Sequence, residues 1–474
     1  MTDLASVARG AMRLTVEQRR GRDAAGRPIP PGPEADPLLG HYRGMVTDRL
    51  RYLLEAFRAH GDVVRMHFLG LPATLLAHPK HVEHVLQRHH RLYTKQTRGY
   101  DRLREFLGHG LLTSEGTFWR RQRRIAQPAF HRKRIAGFGA TMVRAAEDLC
   151  ARLETVADTG EDLDVAREMM EVTLRIAGET LLSTDPSDRA QSVGRALDVV
   201  LHEAHLRINR PLRAPDWVPT ARNRRYRSAA AALNGVVREI IERRRRGTER
   251  PDDLLQMLVE ARDEETGEAM SDAQLRDEVM TLFLAGHETT ANMMTWTLTM
   301  LSRAPEHARR VHAEARDVLG DRPATVEDLD RLEHTARVLS ESLRLYPPAW
   351  IVGRSPREDD EIDGYRIEAG SLVITSPWVT HRHPAFWRDP EGFDPDRWRP
   401  ERAASMHRTQ YFPFGAGPRM CIGAGFARME GALLLATLAR RFRFDLVPGH
   451  PVVPEPLVTL RPKHGVRMTV HRRR

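Results

Sequence analysis

Cysteine is nearly absent from this chain: only Cys150 and Cys421 occur in 474 residues. That excludes a disulfide framework and any multi-cysteine zinc or iron–sulfur site built from it. No window approaches the ~18 consecutive apolar residues of a membrane-spanning helix. The opening MTDLASVARGAMRLTVEQRR carries arginines where a secretion signal would have its apolar stretch, so a cytoplasmic setting is expected. Lysine is scarce as well. The 74 Lys+Arg against 64 Asp+Glu give a net charge of +10, nearly all from arginine and interleaved with acids. That is the pattern of solvated faces, and nucleic acid is not an expected partner. What is present is ample apolar material: 41% hydrophobic and 29% charged residues suit a globular chain with a substantial core.

Residues 1–35 are rich in Arg, Gly and Pro and end in Pro28-Ile29-Pro30-Pro31-Gly32-Pro33, which cannot be helical. This stretch is expected to be a poorly ordered arm, leaving 36–474 as one domain. Helical spacing runs from Tyr42 to Arg58, and Asp62–Gly70 and Ala73–Ala77 read as a hairpin. From Lys80 to Gly320 the pattern is almost wholly helical, with breaks at Gly108–Gly110, Pro128, Thr159-Gly160, Pro186, Pro211–Pro219 and Arg250-Pro251. Ser271 is an N-cap for a helix that continues unbroken to Pro305, roughly thirty residues, more than twice the ~11–12 of an ordinary globular helix. Such a helix is expected to run through the centre of the molecule. After a helix ending at Tyr346-Pro347-Pro348, β runs return at Ile362–Ile367 and Leu372–Thr375. A loop-rich stretch from Pro377 to Gly417 and a helix from Ile422 to Phe442 follow. The fold class is mainly α with a minor β portion.

The segment Phe414-Gly415-Ala416-Gly417-Pro418-Arg419-Met420-Cys421-Ile422-Gly423 sets a cysteine just ahead of a helix. There the helix dipole and Arg419 favour its thiolate, and the glycines let a flat ligand pass close to the backbone. The segment resembles the haem-binding loop of the cytochrome P450 superfamily, F-G-x-G-x-R-x-C-x-G, at every fixed position. Three more segments carry the resemblance. Glu341-Ser342-Leu343-Arg344 is an E-x-x-R on a helix upstream of the cysteine, and Phe393-Asp394-Pro395-Asp396-Arg397-Trp398 supplies the family's second arginine, Arg397. Ala285-Gly286-His287-Glu288-Thr289-Thr290 interrupts the long apolar helix with a glycine, an acid and two threonines, a local misfit of the kind found at functional sites. Trp119 and Arg123, four residues apart, put an indole N–H and a guanidinium on one helix face, donors that suit a haem propionate.

The resemblance implies one large haem domain built around the long helix, with Cys421 as the axial thiolate of haem b. Phe414, Gly415, Gly423 and Ala285 would border the haem, and Trp119, Arg123, Arg419 and Arg354 would meet its propionates. Glu288 and Thr289 are then the acid and alcohol that guide protons, while Glu341, Arg344 and Arg397 lock the core; His287 and His381 are read as packing residues. The implied activity inserts one oxygen atom from O2 into a C–H or C=C bond of an apolar small molecule of the fatty acid, terpenoid, steroid or polyketide class. No stretch is left over for a flavin or iron–sulfur domain, so electrons would come from a ferredoxin or flavodoxin with its reductase. Arg120, Arg121, Arg124 and His131-Arg132-Lys133-Arg134 form the basic surface where an acidic carrier would dock. A monomer is expected. A peroxide-using enzyme is the alternative, opposed by the intact Glu288 and Thr289; a haem sensor would carry an output domain. Residues 98–112, Pro211–Pro219, Phe283, Met293 and Trp350-Ile351-Val352 are the candidate pocket lining.

Overall fold

The computed structural model describes residues 4–183, 190–209, 217–247 and 251–473. The breaks expected at Pro186, over 211–216 and at Arg250 lie outside the described residues. Helices dominate and the strands are short, so the fold is mainly α with a minor β portion. The stretch that reads as one domain divides into two compact units, each assembled from separated segments. One comprises Met1–Asp101, Ala349–Gly392 and Glu401–Cys421, and the other Arg102–Pro348, Phe393–Pro400 and Ile422–Arg474. The division follows secondary structure: the larger sheet lies in the first unit and the long helices in the second.

In the first unit, Val63–Phe68 and Leu71–Leu76 form the expected hairpin, with Phe68 opposite Leu71. Leu372–Thr375 joins it in parallel, followed by Val352–Pro356 and Tyr93–Thr94. The run Ile362–Ile367 does not form a single strand. Asp363 and Gly364 take φ of 51° and 78° and turn Asp360–Ile362 back onto Tyr365–Ile367, the tight hairpin that an Asp-Gly pair favours. The helical spacing from Tyr42 is likewise divided. Asp48 accepts the N–H of Arg51 and caps Arg49–His60, separating it from Tyr42–Thr47.

The arm also differs from expectation, because Leu4–Arg20 is a helix. Its Ala11 and Leu14 are fully buried, Glu17 pairs with buried Arg65 at 3.2 Å, and Gln18 donates to the Pro33 carbonyl at 2.7 Å. The arginine content hides this amphipathic pattern, since long arginine stems leave a helix face free to pack.

In the second unit the long helix is Asp272–Arg303, 32 residues, opened by a capping box of Ser271 and Gln274. It packs along Val165–Leu182 and against Glu333–Leu345 and Ala424–Arg441. Enclosure on several sides explains its apolar length. Trp296, fully buried, stacks on Tyr346 at 4.1 Å and donates to the Leu460 carbonyl at 3.0 Å. A second sheet, Asp162–Asp164, Arg467–Arg472 and Phe442–Leu446, is not apparent from the sequence, because its strands are short and rich in charge.

Candidate active site

The cysteine loop lies in the first unit. The N–H of Phe412 donates to Nε2 of His381 at 3.0 Å, so fully buried His381 anchors the start of the loop. The N–H of Gly415 then reaches the Phe412 carbonyl, Met420 reaches Gly417, and Cys421 closes onto the Phe414 carbonyl at 2.9 Å. Gly415 and Gly417 take φ of 74° and 68°, and a Cβ at Gly417 would collide with the Leu86 carbonyl oxygen. Only glycine fits there. The result is a tight loop whose Cys421 is exposed, with Arg419 and Phe414 partly so. Gly423 is the N-cap of Ala424–Arg441. Arg354, on Val352–Pro356, is buried and donates to the Tyr100 hydroxyl at 3.3 Å.

The second unit holds the long helix and the E-x-x-R core. Along that helix, buried residues surround one bare stretch: Ala285 is exposed and Gly286 half-buried, and a Cβ added at Gly286 would meet nothing within 4 Å. Half-buried Thr289 donates to the Ala285 carbonyl at 2.6 Å. Glu288 is buried at 3% exposure, and its carboxylate accepts from the Thr459 hydroxyl at 2.6 Å, which in turn accepts from Asn292 at 3.2 Å. His287 Nδ1 donates to the Phe283 carbonyl at 3.0 Å, and burial pulls its pKa down to about 4, so it stays a neutral packing residue.

Glu341 sits at zero exposure and accepts from Nε and Nη2 of Arg344 at 2.9 and 2.8 Å, Nε of Arg397 at 3.2 Å, the Trp398 indole at 3.0 Å and the Asp394 N–H at 3.0 Å. The sequence reading assembles Glu341, Arg344 and Arg397 but misses Trp398. It also misses Glu430, fully enclosed beside Thr290, whose carboxyl burial pushes well above the usual carboxylate range.

Trp119 is buried and Arg123 half-buried on Gly116–Ala126. Between them in sequence, Gln122 is wholly buried, with neither amide atom hydrogen-bonded among the described residues. Taken unit by unit, the exposed thiol on its glycine loop suits a metal ligand, and the helix face stripped to Ala285 and Gly286 leaves room for a flat group.

Three assignments need correction. Phe283 and Met293 are packed in the core. At about 100° per residue, Phe283 lies on the side of the helix opposite Ala285, where it packs near His287 at 5.8 Å. Met293 is buried at 2% exposure, and its terminal methyl occupies the space a side chain at Gly431 would need. The basic surface is partly neutralised within the fold: Arg121 pairs with Asp263 and Glu268, and Arg124 with Asp263 and Glu265, at 2.6 to 3.3 Å. Arg120 and Lys133 remain exposed. Residues 98–112 are largely helix, Arg98–Leu107, and of the Pro211–Pro219 lining only 217–219 fall within the described residues.

No helix among the described residues is long and apolar enough to cross a membrane. Residues 30–468 match the family model for cytochrome P450. The chain is 39% identical over 426 residues to "Cyclooctatin synthase" of Streptomyces melanosporofaciens, covering 90% of this chain and 92% of that one. It is 38% identical to the same organism's "Cyclooctat-9-en-7-ol 5-monooxygenase", covering 88% and 90%. It is 35% identical to "Pentalenene oxygenase" of Streptomyces avermitilis, covering 90% and 94%. The crystal structure of the haem domain of cytochrome P450DA superposes with a TM-score of 0.87 at 29% identity, covering 94% of this chain and 98% of that one. With the glycine-framed thiol, the bare helix face and the buried E-x-x-R core in place, the chain belongs to the cytochrome P450 family of haem-thiolate monooxygenases.

Proposed function

We propose that this monooxygenase hydroxylates or epoxidises a terpenoid, taking electrons from a separate ferredoxin or flavodoxin and its reductase. The observation that carries the substrate class is the group of relatives at 35 to 39% identity, whose names specify pentalenene and cyclooctatin-type compounds. The 36–474 region is the haem domain, acting as a cytoplasmic monomer. Haem b, when bound, supplies dioxygen activation and transfer of one oxygen atom to a C–H or C=C bond.

The protein's part is to hold and to supply protons. Cys421 is the thiolate ligand, presented by a loop that Gly417 and His381 keep close-packed. Trp119, Arg123, Arg419 and Arg354 meet the propionates, and Phe414, Gly415, Gly423 and Ala285 border the ring. Thr289 lends its hydroxyl from the bare helix face, and Glu288 holds a proton at its carboxylate, steadied by Thr459. The Glu341, Arg344 and Arg397 cluster keeps the supporting helix rigid.

Purified holoprotein, supplied with a ferredoxin and reductase, is tested on pentalenene and cyclooctat-9-en-7-ol under isotopically labelled dioxygen. One labelled oxygen in the product supports the reading. Turnover of fatty acids and steroids but of neither terpenoid overturns it. The reduced carbon-monoxide spectrum, red-shifted in the wild type and lost in Cys421→Ser, checks the ligand separately.

A further inference from the structure

Glu278 lies on the long helix among Leu275, Val279, Phe106 and Leu111 at 1% exposure. One of its oxygens accepts the N–H of Leu111 at 3.0 Å, docking the turn that follows Gly108; the other, Oε1, is buried with no hydrogen-bond partner among the described residues. One turn on, Thr281 is buried at 4% exposure, and its hydroxyl oxygen also has no partner among the described residues.

Thr281 is the exception on its helix. Thr289, Thr290, Thr295, Thr297 and Thr299 each donate to the carbonyl four residues back. Gly110 packs against the Thr281 hydroxyl: a Cβ there would collide with the hydroxyl oxygen. Glu278, Thr281, Ala285 and Thr289 follow one another at helical spacing and share one face within about 80°. This is the face that opens at Ala285. Two adjacent buried oxygens without partners call for a ligand group, because a fold satisfies nearly all such atoms internally.

We infer that Glu278 and Thr281 form a polar anchor for a hydroxyl group already carried by the substrate, so that the enzyme takes a terpenoid alcohol in preference to the parent hydrocarbon. The inference rests on the terpenoid reading for the carbon skeleton, and on these two residues for the hydroxyl. Burial in an apolar cluster pushes the Glu278 carboxyl up to about 7. A protonated carboxyl donates and a threonine hydroxyl both donates and accepts, which is the complement of a neutral alcohol. Seven residues separate Glu278 from Ala285, about 10 Å along the axis, so the carbon to be oxidised sits at the far end of the molecule from the anchored hydroxyl. The reaction that supplies this substrate is then an earlier hydroxylation, or a cyclisation ended by water.

The test is a titration of ferric holoprotein, following the substrate-induced spin-state shift, with cyclooctat-9-en-7-ol and with the same hydrocarbon lacking its hydroxyl. The wild type is expected to bind the alcohol roughly tenfold more tightly. Thr281→Val, which keeps the shape, should weaken the alcohol roughly five- to tenfold and leave the hydrocarbon unchanged. Glu278→Met should erase the preference. Equal affinities in the wild type would mean that the pair holds only water, and equal losses for both ligands in the variants would reduce Glu278 to a tether for Leu111; either result overturns the anchor. Adamantane and adamantanol separate this inference from the terpenoid reading. If neither terpenoid shifts the spectrum while adamantanol outbinds adamantane through Thr281, the terpenoid reading falls and the anchor stands. If no alcohol outbinds its hydrocarbon in either pair, the anchor falls.

Discussion

Two glutamates of the second unit, Glu341 and Glu278, are equally deep and differently furnished. Glu341 receives two guanidinium groups, an indole and a backbone N–H, whereas Glu278 receives one backbone N–H and keeps a bare oxygen. A buried carboxylate with complete partners is a structural clamp, since its charge is compensated and every bond depends on the fold. A buried carboxyl with an oxygen the described residues do not bond can meet another group. Glu430, enclosed with neither oxygen in hydrogen-bond geometry among the described residues, is a third state: an acid whose burial favours its protonated form.

The sharpest way to break this comparison is Glu341→Gln. It leaves Arg344 and Arg397 buried beside a neutral amide, and should cost about 3–5 kcal/mol, seen as a collapse in holoprotein yield and denaturation midpoint. Glu278→Gln, by contrast, should change stability by less than about 1 kcal/mol; equal losses would abolish the distinction. Next in size is Thr289→Ala, which keeps the fold but removes the hydroxyl from the open helix face. It should lower product formed per electron by roughly 10- to 100-fold and raise peroxide release, measured by product and peroxide yields against cofactor consumed. Unchanged coupling would return Thr289 to a packing role.

The charged surface follows the same logic of satisfied against free groups. Charge reversal at Arg120 and Lys133, which are exposed, should slow reduction by an acidic ferredoxin roughly tenfold at low ionic strength and much less in high salt. Reversal at Arg124, already held by Asp263 and Glu265, should act mainly on stability; stopped-flow reduction and thermal melts separate the two.

The smallest effect is expected at Glu430. Its carboxyl titrates higher in the folded chain than in the unfolded one, so stability falls as pH rises above the unfolded value. Glu430→Gln removes that loss. Its melting-temperature advantage over the wild type should therefore grow by about 1–3 °C between roughly pH 4 and pH 8, measured by calorimetry. An advantage flat with pH would mean that Glu430 finds partners after all.

Legibility in the sequence depended on how local each feature is. The Phe414–Cys421 loop and the Glu341–Arg344 pair are short-range patterns, so residue type and spacing were enough to find them. The capped start of Asp272–Arg303 was legible for the same reason. Thr459, which steadies Glu288, lies 171 residues away, and Trp398 lies 57 residues from Glu341; no local pattern points to either. Phe283 and Met293 were misassigned because apolar character suits a core and a pocket equally. The helix's rotation sets Phe283 apart, packing at Gly431 sets Met293 apart, and the rotation brings forward the polar Glu278 and Thr281, which an apolar-pocket reading passes over. The helix Leu4–Arg20 was hidden by arginines whose charge says nothing about where their stems pack.

By itself, then, the sequence determined the mainly helical class, the long capped helix, the thiol loop and the family resemblance, because each rests on periodicity or on fixed residue types within one turn or loop. Tertiary structure alone decided which buried acid is clamped and which is vacant, which arginines are already paired, and which face of the long helix is bare. Those outcomes depend on neighbours brought in from distant parts of the chain, and hydrogen bonding and desolvation are set by neighbours in space.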